Sequence, residues 1–86
     1  SNQVTCVFED SRGRLWAGLA DGGLVRFDAA REAFALFGTE QGLPSNAVMS
    51  LVEDQRGQLW VATNGGLGVL DERTNRFRTF YESDGV

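Results

Sequence analysis

The sequence predicts an all-β protein built from two copies of one repeat. Aligning residues 1–20 with 45–64, and residues 22–43 with 65–86, gives 16 identities in 42 pairs, which is far above chance. The apolar segments are short and are separated by turns rich in glycine and aspartate, a pattern typical of antiparallel strands joined by hairpins. No segment keeps helical periodicity over the roughly ten residues that a helix needs. Repetition at this period indicates a propeller, a solenoid or another repeat array.

The repeat brings the same turn and strand residues back at equivalent positions. The offset between the copies is 44 residues up to position 20 and 43 residues beyond it. One residue, most simply Asp21, is therefore an insertion in the first copy. Structural roles are predicted for the recurring residues Asp10, Gly13, Trp16 and Gly23 of the first copy and Asp54, Gly57, Trp60 and Gly66 of the second.

Each copy is predicted to contain four strands. The first is apolar on both faces, which indicates a strand covered on both sides. The second carries a tryptophan followed by small residues, where a neighbouring backbone can come close. The third follows a Gly-Gly pair and ends at an aspartate, and the fourth is more polar in the second copy, as expected of an outer strand. The predicted strands are 4–8, 15–18, 24–28 and 34–37 in the first copy and 48–52, 59–62, 67–71 and 77–81 in the second.

Three turns connect the strands of each copy. The first turn has aspartate at its first position and glycine at its fourth, at 10–13 and 54–57. The aspartate side chain can accept hydrogen bonds from nearby backbone N–H groups, and glycine adopts the positive φ that closes such a hairpin. The second turn is the Gly-Gly pair at 22–23 and 65–66. The third is looser, and the one helical element that the pattern allows is a short turn at 28–33.

Four antiparallel strands in about 43 residues match one blade of a β-propeller. The predicted domains are blade 1, residues 1–44, and blade 2, residues 45–86. The segment 42–46 is predicted to lead from the outer strand of one blade to the inner strand of the next. Pro44 suits this extended link because it has no N–H to donate to a strand ladder.

Two blades cannot close a ring, so an apolar sheet face is expected to remain uncovered at each end. We expect the ring to be completed only by the rest of a larger protein or by oligomerisation, with blade 2 of one copy against blade 1 of the next. Three chains would then form a six-bladed ring and four chains an eight-bladed one. The chain starts and stops in phase with its repeat, which favours a piece, excised or engineered, of a longer array.

The composition argues against several classes of function. The chain has 86 residues and a net charge of −4, and all eight of its cationic residues are arginines without a basic run. Binding to nucleic acid or to an anionic membrane surface is therefore not expected, and no apolar run approaches the roughly 18 residues of a membrane span. The chain has no histidine and a single cysteine, so we expect no catalytic residues, no metal and no cofactor. Cys6 is interpreted as a small buried core residue.

Recurrence also separates structural from functional candidates, because a site grafted on a repeat scaffold should differ between copies. The recurring carboxylate pairs at 9–10 and 53–54 are assigned to the hairpins. The recurring Trp16 and Trp60 are assigned to packing between blades rather than to a sugar-stacking surface. The ligand-binding candidates, all in loops at one end of the blades, are Asp21, Asn64, Ser45 and Asn46. Neutral variation in surface loops is the alternative explanation for the differences.

The order of the motifs resembles one propeller family. Gly-Leu-Pro-Ser-Asn-x-Val at 42–48 precedes Glu-Asp-x-x-Gly-x-Leu-Trp, then Thr-Asn-Gly-Gly-Leu at 63–67 and Phe-x-x-Phe. This order is similar to the two-component regulator propeller repeat over the whole chain, twice, although the first copy departs from it at 19–21. WD40, pyrroloquinoline-quinone-type and kelch repeats, which also form propellers, fit less well. The resemblance implies an inner first strand, an outer fourth strand and about seven blades in a ring.

The resemblance also implies a function and a location. Repeats of this family form periplasmic sensor regions of bacterial hybrid histidine kinases and of some membrane-bound diguanylate cyclases. The first interpretation is thus an extracytoplasmic segment that recognises a small molecule or a glycan, without nucleic-acid or membrane contact of its own. A purely structural, self-assembling scaffold is the second, and part of a propeller enzyme such as a lyase is the third. The absence of histidine counts against the third.

Overall fold

The computed structural model describes residues 3–80, which form eight strands in two antiparallel sheets. The strand orders are β1-β2-β3-β4 and β5-β6-β7-β8, so each sheet is a simple meander. This confirms the predicted all-β fold with two four-stranded blades, and the sheets are called blade 1 and blade 2. The strands are β1 (Val4–Glu9), β2 (Leu15–Leu19), β3 (Leu24–Asp28), β4 (Ala33–Phe37), β5 (Val48–Glu53), β6 (Leu59–Thr63), β7 (Gly66–Asp71) and β8 (Arg76–Phe80).

The predicted strands agree with these bounds to within one residue. The agreement follows from the turns, because Gly13 and Gly57 adopt φ values of 79° and 80° directly before the second strand of each blade. Residues 1–2, with which the first copy begins, and residues 81–86 lie outside the described residues. The predicted end of the last strand at Tyr81 and the predicted end of blade 2 at Val86 fall in the second of these segments.

The short helical turn that the sequence pattern allowed between β3 and β4 does not form. The side chain of Asp28 accepts hydrogen bonds from the backbone N–H groups of Ala30 (3.1 Å) and Arg31 (3.3 Å). Glu32 then takes a positive φ of 52°, which reverses the chain into β4 instead of continuing a helix. A single turn of 3₁₀ helix lies instead in the link between the blades, at Thr39–Gln41.

The core lies between the two blades. The rings of Phe37 and Phe77, one from each blade, meet edge to face with their centroids 5.6 Å apart. A β-carbon at Gly18 would lie 2.5 Å from Cγ1 of Val48, so the glycine lets β2 come close to β5. Cys6 is half-buried against this core rather than fully buried. The buried core residues are Trp16, Leu24 and Phe37 from blade 1, Leu43 from the link, and Val48, Leu59, Val61, Leu70 and Phe77 from blade 2.

The outward faces of the two blades are uncovered in the described chain. Phe34 on blade 1 and Phe77 on blade 2 occupy the same repeat position, yet Phe34 is 72% exposed and Phe77 only 6%. The difference arises because blade 1 covers Phe77, whereas no blade covers Phe34. The large apolar residues exposed on blade 1 include Val7 and Leu36, and those on blade 2 include Val52 and Leu67.

Candidate functional site

The meander divides the loops between two ends of the molecule. The connection end holds the loops between the second and third strands (20–23 and 64–65) and the link from β4 to β5 (38–47). The turn end holds the first turns (10–14 and 54–58) and the third turns (29–32 and 72–75). All four ligand-binding candidates from the sequence lie in segments of the connection end.

At the connection end, backbone hydrogen bonds join the loops to the link between the blades. The N–H of Gly23 donates to the carbonyl of Asn46 (2.8 Å), and the N–H of Asn64 donates to the carbonyl of Ala47 (3.0 Å). The side chain of Asn46 accepts from the N–H of Thr39 at 3.1 Å. Ser45 Oγ accepts from the N–H of Ala47 at 3.1 Å. Ser45 and Asn46 therefore fix the path of the link, in addition to any contact with a ligand.

A polar cleft of about 310 Å³ opens beside this link. Asn46 and Gly22 line it, together with the segment 36–41, which contributes the side chains of Glu40 and Gln41. Asp21 is exposed and precedes the lining residue Gly22 in the sequence. Asn64 and Ser45 do not line the cleft. Amide, carboxylate and backbone groups of this kind can form hydrogen bonds with a polar ligand.

The loops at this end also differ in length between the blades. Three residues, 20–22, separate Leu19 from Gly23, whereas two residues separate Thr63 from Gly66. In blade 2 the Thr63 hydroxyl closes the short loop, because it donates to the carbonyl of Gly66 (2.8 Å) and accepts from the N–H of Gly65 (3.1 Å). Leu19 replaces this threonine in blade 1 and cannot make these bonds. Gly23 and Gly66 have positive φ in both blades.

At the turn end, the recurring aspartate of each blade joins its turn to the tryptophan of the next strand. Asp10 Oδ1 accepts from the N–H groups of Arg12 and Arg14, and Oδ2 accepts from Trp16 Nε1 at 2.8 Å. Asp54 makes the same three bonds to residues 56, 58 and 60, the last of them at 2.9 Å. The spacing of six residues between aspartate and tryptophan recurs because one side chain organises the whole hairpin.

These bonds set the protonation of the two aspartates. Burial raises the pKa of Asp10, but hydrogen bonds from Trp16 and Arg14 and the charge of Arg14 outweigh it and bring the pKa below its ordinary value. The hydrogen bond from Trp60 is the main cause that lowers the pKa of Asp54. Both carboxylates are therefore ionised acceptors whose oxygens are already engaged, which is a structural role and not the state of a general acid.

An ion-pair network joins the blades at the turn end. Arg14 Nε lies 2.8 Å from Asp10 Oδ2, and Arg14 Nη2 lies 2.8 Å from Glu72 Oε2 on blade 2. Arg12 Nη1 reaches the same oxygen of Glu72 at 2.9 Å. The hydrogen bond from Arg14 is the main cause that lowers the pKa of Glu72, and the hydrogen bond to Glu72 is the main cause that raises the pKa of Arg14. Glu72 thus closes the turn end of the blade contact.

Sequence reasoning missed this network because two of its four residues do not recur between the copies. The equivalents of Arg14 and Glu72 in the other copy are Gln58 and Ala29. A third unrepeated residue, Arg26, lies over the Trp16 ring, 5.4 Å from its centroid, and burial lowers the pKa of its guanidinium. The signal available in the sequence was that each of these three residues is charged in one copy and uncharged in the other. The two arginines lie on blade 1 and the glutamate on blade 2, on the two sides of one interface.

Around the network, the turn end of blade 2 contains an open cavity of about 480 Å³. Its lining includes Arg12 of blade 1, the first turn of blade 2 at 56–58, and the end of β7 with the start of the third turn at 69–72. Among residues 3–80, no group of three or more histidine, cysteine, aspartate or glutamate side chains is arranged to hold a metal ion. Within the same residues, no helix is long and apolar enough to cross a membrane.

Two solved structures from B. thetaiotaomicron resemble the chain closely. The extracellular domain described as that of a one component system, BT4673, is 34% identical with a TM-score of 0.80, over 92% of this chain. The extracellular domain described as that of a hybrid two component system, BT3049, is 29% identical with a TM-score of 0.83, over the whole chain. The chain spans only 11% and 12% of the length of these domains. No curated protein matches the chain.

The family model of the two component regulator propeller matches residues 1–21 and 42–65, just over half of the chain. These segments carry the first strand, the first turn and the tryptophan strand of each blade. They are the parts in which the aspartate–tryptophan hairpin is built. From the motif order, the two-blade fold and this match together, the chain belongs to the two component regulator propeller family.

Proposed function

We propose that the chain is part of the ligand-recognition propeller of an extracytoplasmic sensor in a bacterial signal-transduction protein. Its recognition surface is the connection end, and the ligand is a polar small molecule such as a short glycan. The observation that carries the proposal is the contrast between the two ends of the blades. In the first turns both aspartates accept the same three hydrogen bonds from backbone and indole N–H groups, whereas the loops at 20–23 and 64–65 differ in length and composition, the first of them beside a polar cleft.

The chemistry of the cleft supports a polar ligand. It offers an amide at Asn46, a carboxamide at Gln41 and a carboxylate at Glu40, with no cluster of cationic residues along its lining. Such groups pair with hydroxyl-rich ligands, while an anion would meet the charge of Glu40. The structurally similar proteins are described as extracellular domains of signalling systems, and a ligand-binding cleft is consistent with a sensor of that kind.

Ligand binding can be tested by a melting-temperature screen of the chain against neutral and acidic oligosaccharides, followed by calorimetric titration of any hit. Asp21→Ala changes an exposed residue beside the cleft and is expected to weaken binding at least several-fold without changing the fold. Gln55→Ala, exposed at the turn end, is the matched control and should bind like the unmodified chain. Equal weakening by both variants, or binding that neither variant affects, would count against the connection end as the site.

A second property, self-association, is favoured by the uncovered faces. Phe34 and Leu36 are 72% and 71% exposed on blade 1, and Val52 and Leu67 are exposed on blade 2. Blade 1 already covers the blade 2 equivalent of Phe34, so the contact within the chain is a template for blade 2 of one copy against blade 1 of another. Such a head-to-tail contact closes into a ring of three or four chains. Light scattering that shows a stable monomer at micromolar concentration would refute self-association.

The proposal includes no catalysis. The chain has no histidine, and three carboxylates of its recurring pairs are engaged in the fold: besides Asp10 and Asp54, Glu53 accepts hydrogen bonds from the N–H (2.9 Å) and hydroxyl (2.7 Å) of Ser11. Carboxylates held as acceptors in this way are poorly placed to exchange protons with a substrate. A lyase role for a larger propeller would therefore need residues from other blades.

A further inference from the structure

We infer that the cavity at the turn end of blade 2 is a socket for the third turn of a neighbouring blade that carries a carboxylate at the position of Glu72. Arg56 binds this carboxylate. The inference rests on the proposed association of blades through their uncovered faces, and it names the chemistry of the blade that fits best.

The contact between blades 1 and 2 provides the template. There the third turn of blade 2 places Glu72 against the first turn of blade 1, where Arg12 and Arg14 bind it at 2.9 and 2.8 Å. The side chain of Arg14 is only 14% exposed and that of Glu72 is 32% exposed, so the pair lies partly inside the interface. A charged pair with this degree of burial selects a partner more strongly than one on an open surface.

Blade 2 presents the equivalent positions to its own outward side. The equivalents of Arg12 and Arg14 are Arg56 and Gln58, and both line the cavity of about 480 Å³. Asp54 engages only the backbone N–H groups of these residues, whereas Asp10 in blade 1 also accepts from Arg14 Nε. Within residues 3–80, Arg56 forms no ion pair, whereas Arg12 at the equivalent position of blade 1 pairs with Glu72.

A second copy of this chain fits the socket only in part. The residue of blade 1 equivalent to Glu72 is Ala29, which is exposed in the third turn. Blade 1 of another copy would cover the apolar face of blade 2, but it would leave Arg56 without the carboxylate. The socket therefore favours a blade with an acidic residue directly after its third strand over a second copy, which gives a longer array a preferred order of blades.

The test is to supply the missing carboxylate with Ala29→Glu and to measure self-association by sedimentation equilibrium. Because position 29 is exposed in a turn, the substitution is expected to leave the melting temperature of the monomer unchanged. We expect Ala29→Glu to associate about two- to fivefold more tightly than the unmodified chain. Half a molar salt should reduce this gain, because it screens the pair.

Two controls separate charge from shape. Ala29→Gln has nearly the same volume without the charge and should gain little, and adding Arg56→Gln to Ala29→Glu should return association to that of the unmodified chain. If Ala29→Glu associates no better than the unmodified chain, or if Ala29→Gln gains as much, the socket is refuted while self-association stands. If neither the unmodified chain nor Ala29→Glu associates, both self-association and the socket are refuted.

Discussion

Replacing Asp10 with alanine tests whether one buried carboxylate holds the first turn to the core. Asp10 is 5% exposed and accepts four hydrogen bonds, from the N–H groups of Arg12 and Arg14, from Arg14 Nε and from Trp16 Nε1. Trp16 is fully buried, so Asp10→Ala leaves its indole N–H without a partner where water does not reach. An unpaired buried donor costs about 1–3 kcal/mol, and losing hydrogen bonds to a charged group adds a comparable amount.

We therefore expect Asp10→Ala to lower the free energy of unfolding by about 3 kcal/mol. A domain of this size has a total of about 4–13 kcal/mol, and such a loss corresponds to a melting temperature about 12–24 °C lower. The assay is urea denaturation followed by tryptophan fluorescence, with calorimetry to obtain the melting temperature.

Asp54→Ala is the matched control, because Asp54 makes the same three bonds in blade 2 beside the half-buried Trp60. Water can replace the lost bonds there, so a smaller loss is expected. If Asp54→Ala destabilises the chain as much as Asp10→Ala, burial of the Trp16 bond does not account for the cost and the reasoning is wrong.

Three further predictions concern the interface between the blades. Trp16→Ala should lower the free energy of unfolding by about 3–5 kcal/mol, as for other buried large-to-small changes, whereas Trp60→Ala at the equivalent, half-buried position should cost clearly less in the same urea titration. Gly18→Ala should lower the free energy of unfolding by about 1–3 kcal/mol through overpacking against β5, although the equivalent residue of the second copy is Ala62. A melting temperature equal to that of the unmodified chain would contradict the close approach of β2 and β5. Glu72 should make the chain less stable as the pH is lowered. Its pKa is lower in the folded chain than its ordinary value of 4.5. The ionised carboxylate therefore stabilises the fold above pH 4.5, and this stabilisation is lost as the pH falls through the folded pKa. Glu72→Gln should flatten the pH dependence of the melting temperature below about pH 5, and an unchanged slope would show that the ion pair does not contribute.

The strands and hairpins were predictable because their causes are local. The aspartate and glycine of the first turns, at 10–13 and 54–57, fix the hairpins through contacts within a few residues, and the same contacts recur in both copies. Comparing the copies also located the loop at 20–22 as the place where the hairpins differ in length. The helical turn that the pattern allowed at 28–33 does not form, because the hydrogen bond that the Asp28 side chain accepts from Ala30 N–H and the positive φ of Glu32 redirect the chain there.

The candidate site was predictable only in part. Asn46 lies beside the polar cleft and Asp21 next to it in the chain, as the loop positions suggested, but Ser45 and Asn64 do not line the cleft. The sequence pattern also does not show that Asn46 holds the link between blades through its carbonyl and its amide. These partners are 7 or more residues away, and the distance between them depends on how the blades pack.

The amino-acid sequence by itself determined the two-copy repeat, the eight strands, the turn chemistry and the family. Each of these depends on residues close together in the chain or on comparison of one copy with the other, so no knowledge of packing was required. Only the tertiary structure decided which of two equivalent residues is buried and which is exposed. Phe34 and Phe77 occupy the same repeat position, and one is exposed while the other is buried, because burial depends on having a neighbouring blade. The pairing of Arg14 with Glu72, 58 residues apart, is set in the same way, since opposite charges meet only after the two sheets have stacked.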